Sequence, residues 1–448
     1  MTRLVSLITP MALFAVLLLA PGCDEEEVAD RPPPMETASL LMADVDREDP
    51  ATSAAELAEL VSDHTAFAFW LFHKGIEAEG ANENLLFSPH SIVTAFSMLW
   101  PGALGDTADE IAEMLHFAME PAAFHPASNR LDSELASRND YEPSADEGEA
   151  PVLEIVNDIW GLADYPYVDE YLELLARHYG AGVWIVDFRN AWEEARQEIN
   201  AHITYKTRGL IEELLPKNSI DRFTRLVLTN AIYFKGAWQF PFEDGLTDDA
   251  PFTALGGVAS DVPMMSGEID GASYGVVDGA EAVELAYVGN DLSMLLILPE
   301  ESTYADFEAG FDAQKLDDVI SSLTSMGGSL SMPRFEFDSE LDLVEIFTKE
   351  GFGITFDPEQ ADFRGLSEVA LEEELHVTGA FHKAAIIVDE EGTEAAAATA
   401  IVVGMPTSAP IDSFNVRLDR PFLFLIRDRP TGSILFMGRM VDAAAAQP

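Results

Sequence analysis

Glu390–Ala400 reads E-E-G-T-E-A-A-A-A-T-A, and the reading of this stretch decides the fold. It follows a well-patterned apolar run, Ile386-Ile387-Val388, which Asp389, Glu390 and Glu391 stop. From Gly392 to Ala400 only Glu394 carries a bulky side chain. Two readings stand side by side. Alanine has the best helix propensity, and acids near the N-terminal end favour a helical turn. As a strand, alternation instead puts Thr393, Ala395, Ala397 and Thr399 on one face and Glu394 on the other. A strand with so small a face fits a tight slot between two others, its charge left in water. Alternation alone does not choose between the two.

Composition sets the frame. The chain has 448 residues, 48% hydrophobic, ample for a large core. Its 25 basic and 80 acidic residues give a formal charge of −55. That balance excludes nucleic acid and anionic lipid headgroups as electrostatic partners and favours solubility in a salty environment.

Arg3 followed by the apolar run Met11–Ala20 has the build of a signal peptide, too short to span a bilayer comfortably. Residues 1–22 are therefore expected to be a targeting segment. Cys23 is the single cysteine, so there is no internal disulfide framework. Directly after the apolar run and Gly22, it looks like a bacterial lipoprotein site, with Ala20 and Pro21 departing from that pattern. The expectation is an exported protein, either anchored to a membrane through a lipid on Cys23 or free in a periplasmic or extracellular space. From Asp24 to Pro50 there are ten acids, two arginines and the run Pro32-Pro33-Pro34. Self-repulsion and polyproline geometry predict an extended tether over 23–53, with the globular domain over 54–448.

Within that domain, helical spacing runs from Ala54 to Ile76, after Pro89, over Thr107–Leu115 and Tyr171–His178, and through Trp192, Ala195, Ile199 and Ile203. It returns over Thr303–Met326 and Leu341–Glu350. Strands are predicted at 152–161, 183–188, Arg225–Trp238, Leu330–Phe337, His376–Val388, Phe422–Ile426 and Ile434–Met437. Val283–Tyr287 and Met294–Leu298 pair as a hairpin across Gly289-Asn290. Strands occur in runs as well as between helices, so the class is α+β with mainly antiparallel sheets.

Chemistry-bearing motifs are sparse. Gly271-Ala272-Ser273-Tyr274-Gly275 matches the nucleophile-elbow pattern, but a turn follows it where a helix is required. His376 and His382, six apart on one predicted strand, lack a third ligand, and no metal or cofactor is expected. More informative are Ser88, Ser91, Asn230 and His382, polar residues in strongly apolar surroundings. A buried polar group without a partner costs roughly 1–3 kcal/mol, so such residues usually find one another.

Taken in order, NLLFSPHSIVTAFSMLWPGALGDTADEI (84–111), LTNAIYFKGAWQFPF (228–242), SLSMPRFEFDSELDL (329–343), VTGAFHKAAIIVDEEGTEAAAATA (377–400) and DRPFLFLIRDRPTGSILFMGRM (419–440) closely resemble successive signatures of the serpin family. The resemblance spans roughly Ala54 to Asp442. It implies three mainly antiparallel sheets, about nine helices and an exposed reactive loop. It also implies no catalysis of the chain's own. A target serine or cysteine protease cleaves the loop and becomes an acyl-enzyme, and the loop inserts as a central strand before hydrolysis. The family's loop insertion is itself a known instance of strand addition.

By the same resemblance, Glu390 is the hinge acid and Gly392–Thr399 the insertable segment, including Thr393, Glu394, Ala395, Ala397 and Thr399. Ser88, Ser91, Asn230 and His382 form a cluster beneath the sheet opening. Trp238 lies at its top, and Arg334 pairs with the hinge acid. The acids of Thr107–Phe117 speak against a heparin-type activator, and a monomer is expected. The alternative is a non-inhibitory member acting as a binding or storage protein; a small-ester hydrolase using Ser273 is a third reading.

The scissile bond is set by protease chemistry. Family spacing counted from the hinge places it near Pro406, and counted back from Arg420-Pro421-Phe422 near Pro410. A proline after the bond lacks the amide hydrogen and blocks most serine proteases, which disfavours Met405-Pro406 and Ala409-Pro410. Thr407-Ser408 remains the expected bond, with Gly404-Met405 and Ser408-Ala409 behind it. Between Lys383 and Arg417 there is no Lys or Arg, and between His382 and Phe414 no aromatic residue. The loop therefore suits a small or medium apolar pocket, elastase-like or subtilisin-like.

Overall fold

The apolar run predicted over Arg225–Trp238 becomes the longest strand of a mixed sheet, and its neighbours set the architecture. The structure is a computed structural model that describes residue 35 and residues 37–144, 147–393 and 413–447. The chain opens with β1 (Ser39–Leu41), α1 (Ala54–Glu79), β2 (Leu85–Phe87), α2 (Pro89–Leu99), α3 (Asp106–Met114) and α4 (Pro121–Ala136). It continues with β3 (Val152–Leu162), α5 (Asp169–Tyr179), β4 (Val183–Val186), α6 (Phe188–Lys206) and β5 (Leu226–Ala237). Then come β6 (Asp248–Thr253), β7 (Ala259–Ile269), β8 (Ser273–Val277), β9 (Ala280–Ala286) and β10 (Leu292–Leu298). Next are α7 (Tyr304–Ala309), α8 (Ala313–Ser322), β11 (Thr324–Ser325), β12 (Gly328–Pro333), β13 (Phe335–Asp342) and α9 (Leu343–Lys349). The last are β14 (Gly379–Val388), β15 (Gly392–Thr393), β16 (Phe414–Arg417), β17 (Phe422–Asp428) and β18 (Ile434–Met440).

Three sheets result. The first runs β1-β4-β3-β5-β15-β14-β13, the second β11-β8-β9-β10-β17-β18-β2, and the third β16-β12-β7-β6. The α+β reading holds. Helix starts follow local chemistry: Ser53 and Glu56 form a capping box on α1, Ser88 caps α2 with Pro89 at its first position, and Asp312 caps α8. The β9–β10 hairpin turns where predicted, through Gly289 and Asn290, both at positive φ.

Boundaries differ from the sequence reading in several places. The helix expected over Thr303–Met326 is two helices, because Asp312 turns its side chain back to cap a new start. The strand expected over Leu330–Phe337 divides at Arg334, where the chain leaves β7 as partner and takes up β14. His376 lies outside β14, so it does not share a strand with His382.

The tether is corrected too. Ser39–Leu41 pairs antiparallel with the edge strand β4. The Glu198 carboxylate on α6 accepts the amides of Thr37 and Ala38 at 2.8 and 2.9 Å. Arg47 reaches Asn129 and Asp132 on α4, and Glu48 pairs with Arg177 on α5. Ser39–Leu41 is extended, but an extended chain beside an open sheet edge is also a strand. Glu198→Ala is expected to lower stability by about 1 kcal/mol, read as a fall in the denaturation midpoint. An unchanged midpoint would show that solvent serves the two amides equally well.

Candidate functional site: a slit in the central sheet and its hinge

β5 and β14 are the two central strands, and they pair directly only from Gly379↔Val227 to Lys383↔Ala231. Beyond that register each pairs with β15 at the far end: Gly392 faces Ala237 and Thr393 faces Gly236 of β5, while Thr393 faces Val388 of β14. Among the described residues, the first sheet is thus closed at one end and wedged at the other. α6 and its following loop cover the sheet between, where Ile203, Ile211 and Leu214 pack on Val156, Ala231 and Ala385.

The wedge forms because the chain reverses sharply after Val388. The Asp389 carboxylate accepts the amides of Glu391 and Gly392 at 2.9 and 3.0 Å, an Asx-type turn. Burial raises the Asp389 pKa from its ordinary value. Gly392 is required by close approach: a Cβ there would sit 2.1 Å from the Gly236 carbonyl oxygen. Thr393 is 2% exposed, and its hydroxyl bonds the Tyr287 hydroxyl at 2.7 Å. Trp238 stacks on Tyr287 with ring centroids 4.6 Å apart. Its indole N–H donates to the Asp389 carbonyl, and its backbone N–H to the Glu391 carbonyl. Glu390 is buried; one carboxylate oxygen accepts the Thr247 hydroxyl at 2.6 Å, and the other lies 3.7 Å from the Arg334 guanidinium.

At the paired end, Ser88, Ser91, Asn230 and His382 come together as expected, all fully buried. The Ser88 amide donates to His382 Nε2 at 3.0 Å, so Nδ1 carries the proton and donates to Asn230 Oδ1. The Ser88 hydroxyl caps α2 by accepting the Ser91 amide. The Ser91 hydroxyl lies 2.9 Å from the side-chain amide of Asn157, which sits opposite Asn230 on β3. Burial lowers the His382 pKa to about 3, which keeps it in the neutral form these bonds need.

Sequence reasoning missed Asn157, Tyr287, Thr247 and Asp389. Asn157 carried the same signal as Asn230, a lone polar residue in an apolar strand. Tyr287 and Thr247 gave none, since only the fold brings them to the hinge. Glu394, Ala395, Ala397 and Thr399, the candidate bonds at Met405, Pro406, Thr407 and Ser408, and Cys23 lie outside the described residues. Ser273 begins β8 and is followed by strand, which removes the elbow context.

The model of the family described as "Serpin (serine protease inhibitor)" matches residues 62–443. A serpin-like protein of Methanosarcina acetivorans is 31% identical over 96% of this chain and 95% of its own. Leukocyte elastase inhibitor A of Rattus norvegicus is 34% identical, covering 85% and 99% respectively. Among solved structures, the thermophilic serpin tengpin in its native state superposes with a TM-score of 0.77 at 25% identity, over 91% of this chain and all of that one. Thyroxine-binding globulin in complex with thyroxine gives 0.73 at 29% identity, over 86% and 99%. The hinge, the slit and these matches agree: the chain belongs to the serpin family.

Proposed function

We propose that the protein is a suicide-substrate inhibitor of serine endopeptidases, extending to cysteine ones, with an elastase-like or subtilisin-like preferred target. Most serpins are protease inhibitors rather than catalysts, and one relative matched above is named for elastase inhibition. The observation that carries the reading is Thr393, small, buried and seated between β5 and β14, which among the described residues pair directly with each other only as far as Lys383. A chain continuing inward from Thr393 adds a central strand, and the small side chains at Ala395, Ala397 and Thr399 suit that path. On this reading the target's nucleophile is acylated by the Thr407 carbonyl, Ser408 becomes a new amino terminus, and insertion outruns hydrolysis.

The binding-protein reading draws on the thyroxine-binding neighbour. The small-residue hinge favours inhibition over it. We further propose export, a lipid on Cys23, and function as a monomer with no nucleic-acid partner. Mass spectrometry of the N-terminal peptide, with Cys23→Ser as control, tests the lipid.

Incubation with elastase, subtilisin, chymotrypsin and trypsin, followed by denaturing gels, tests the function. SDS-stable adducts are expected with elastase or subtilisin, at least tenfold faster than with trypsin, because no basic side chain is offered to a buried acid in the specificity pocket. Clean cleavage without adduct would favour the binding-protein reading, and preference for trypsin would overturn the target class.

A further inference from the structure

His64 on α1 and His90 in the first turn of α2 face each other inside the core, 6% and 2% exposed, with ring centroids 5.9 Å apart. Among the described residues, none of their four ring nitrogens has a hydrogen-bond partner. We propose that this pair is an acid-sensitive latch between α1 and α2, whose protonation frees the first turn of α2 and lets the slit between β5 and β14 open without loop cleavage.

The coupling is short. His90 lies between Ser88 and Ser91, and Ser88 holds His382 on β14 through its amide. Any shift of that helical turn therefore acts directly on the paired end of the slit. Position also disfavours the charged ring, since the start of a helix carries the positive end of its dipole.

Facing charges do not offset this. Asp132 of α4 and Asp428 at the end of β17 are the acids that favour a charged His90. Asp132 already pairs with Arg47 at 2.6 Å, and Asp428 with Arg138 at 2.7 Å. Asp63, next to His64 on α1, turns its carboxylate to the Ala118 amide. His64 meets only His90 as a charged neighbour, and their mutual repulsion adds to burial. Burial lowers His90 to about 4 and His64 well below its ordinary value.

Both folded-state values lie below the unfolded one, so the stability each contributes is full above about pH 6.5 and is lost as pH falls toward about 4. At pH 5.5 one histidine so shifted lowers the ratio of closed to open protein by about tenfold.

The test compares the intact chain with His90→Leu and with His64→Phe/His90→Leu, held at pH 7.5 and pH 5.5. Near-ultraviolet circular dichroism and native-gel mobility, without protease, follow conversion; adduct formation is then measured after return to pH 7.5. Conversion of the unsubstituted chain is expected to be more than tenfold faster at pH 5.5, and the double variant to lose at least tenfold of that acceleration, the remainder belonging to His382. Equal rates at both pH values, or full acceleration in the double variant, would overturn the latch. If the double variant does not fold, His90→Leu alone decides, with an expected loss of about tenfold in the acceleration. The slit-opening consequence rests on the inhibitor reading, but conversion is read without protease, so absence of adduct at neutral pH would sink that reading and leave the latch to be judged separately.

Discussion

Thr393→Arg is expected to leave a folded protein that target proteases cleave but that no longer holds them as SDS-stable adducts. Thr393 is enclosed by β5, β14 and Tyr287, with the Gly236 backbone alongside. A guanidinium in that space loses the Tyr287 hydrogen bond, and burying a charge costs several kcal/mol. The first step of insertion then becomes the barrier. A penalty of about 3 kcal/mol slows insertion more than a hundredfold, while deacylation by water is unaffected. The stoichiometry of inhibition, titrated against elastase or subtilisin, is expected to rise at least tenfold, and the thermal midpoint to fall as Gly392 and Thr393 give up their places in the sheet. Undiminished adduct at unchanged stoichiometry would sink the insertion mechanism.

His382→Leu carries the largest expected effect on stability. The substitution preserves bulk but strands the Ser88 amide and the Asn230 side-chain oxygen in a dry interior. With each unsatisfied buried group costing about 1–3 kcal/mol, the two together cost about 2–6 kcal/mol, seen as a lower denaturation midpoint. A pH dependence accompanies it. Burial depresses the folded pKa to about 3, so the His382 contribution is complete above about pH 6.5 and lost as pH falls toward 3. The variant should therefore show a shallower loss of stability between pH 7 and 5 than the parent. A full-strength midpoint, or an unchanged pH slope, would show that the cluster does not brace the slit.

Much of this was legible in residue order. Helix starts at Ser53 and Ser88 follow from capping, the β9–β10 turn from Gly289-Asn290, and the core strands from unbroken apolar runs. Polar residues in strongly apolar surroundings pointed to one another, because a buried donor or acceptor must be met by another. The break at Asp312 was also encoded, but helical spacing on both sides concealed it. The docking of Ser39–Leu41 was not encoded locally, since acids and prolines specify extension and say nothing of which edge an extended chain meets.

E-E-G-T-E-A-A-A-A-T-A stood open between helix and strand, because small side chains are compatible with both. Its composition determined that something narrow had to receive it, and the alternation named Thr393 as the first inward residue. Only the tertiary structure decided that Gly392 and Thr393 are strand, since the choice depends on Gly236, Val388 and Tyr287, none of them within the stretch itself. Local propensity differs between those states by about 1 kcal/mol per residue or less. Partners more than a hundred residues away in sequence, such as Tyr287 and Gly236, decide so small a difference.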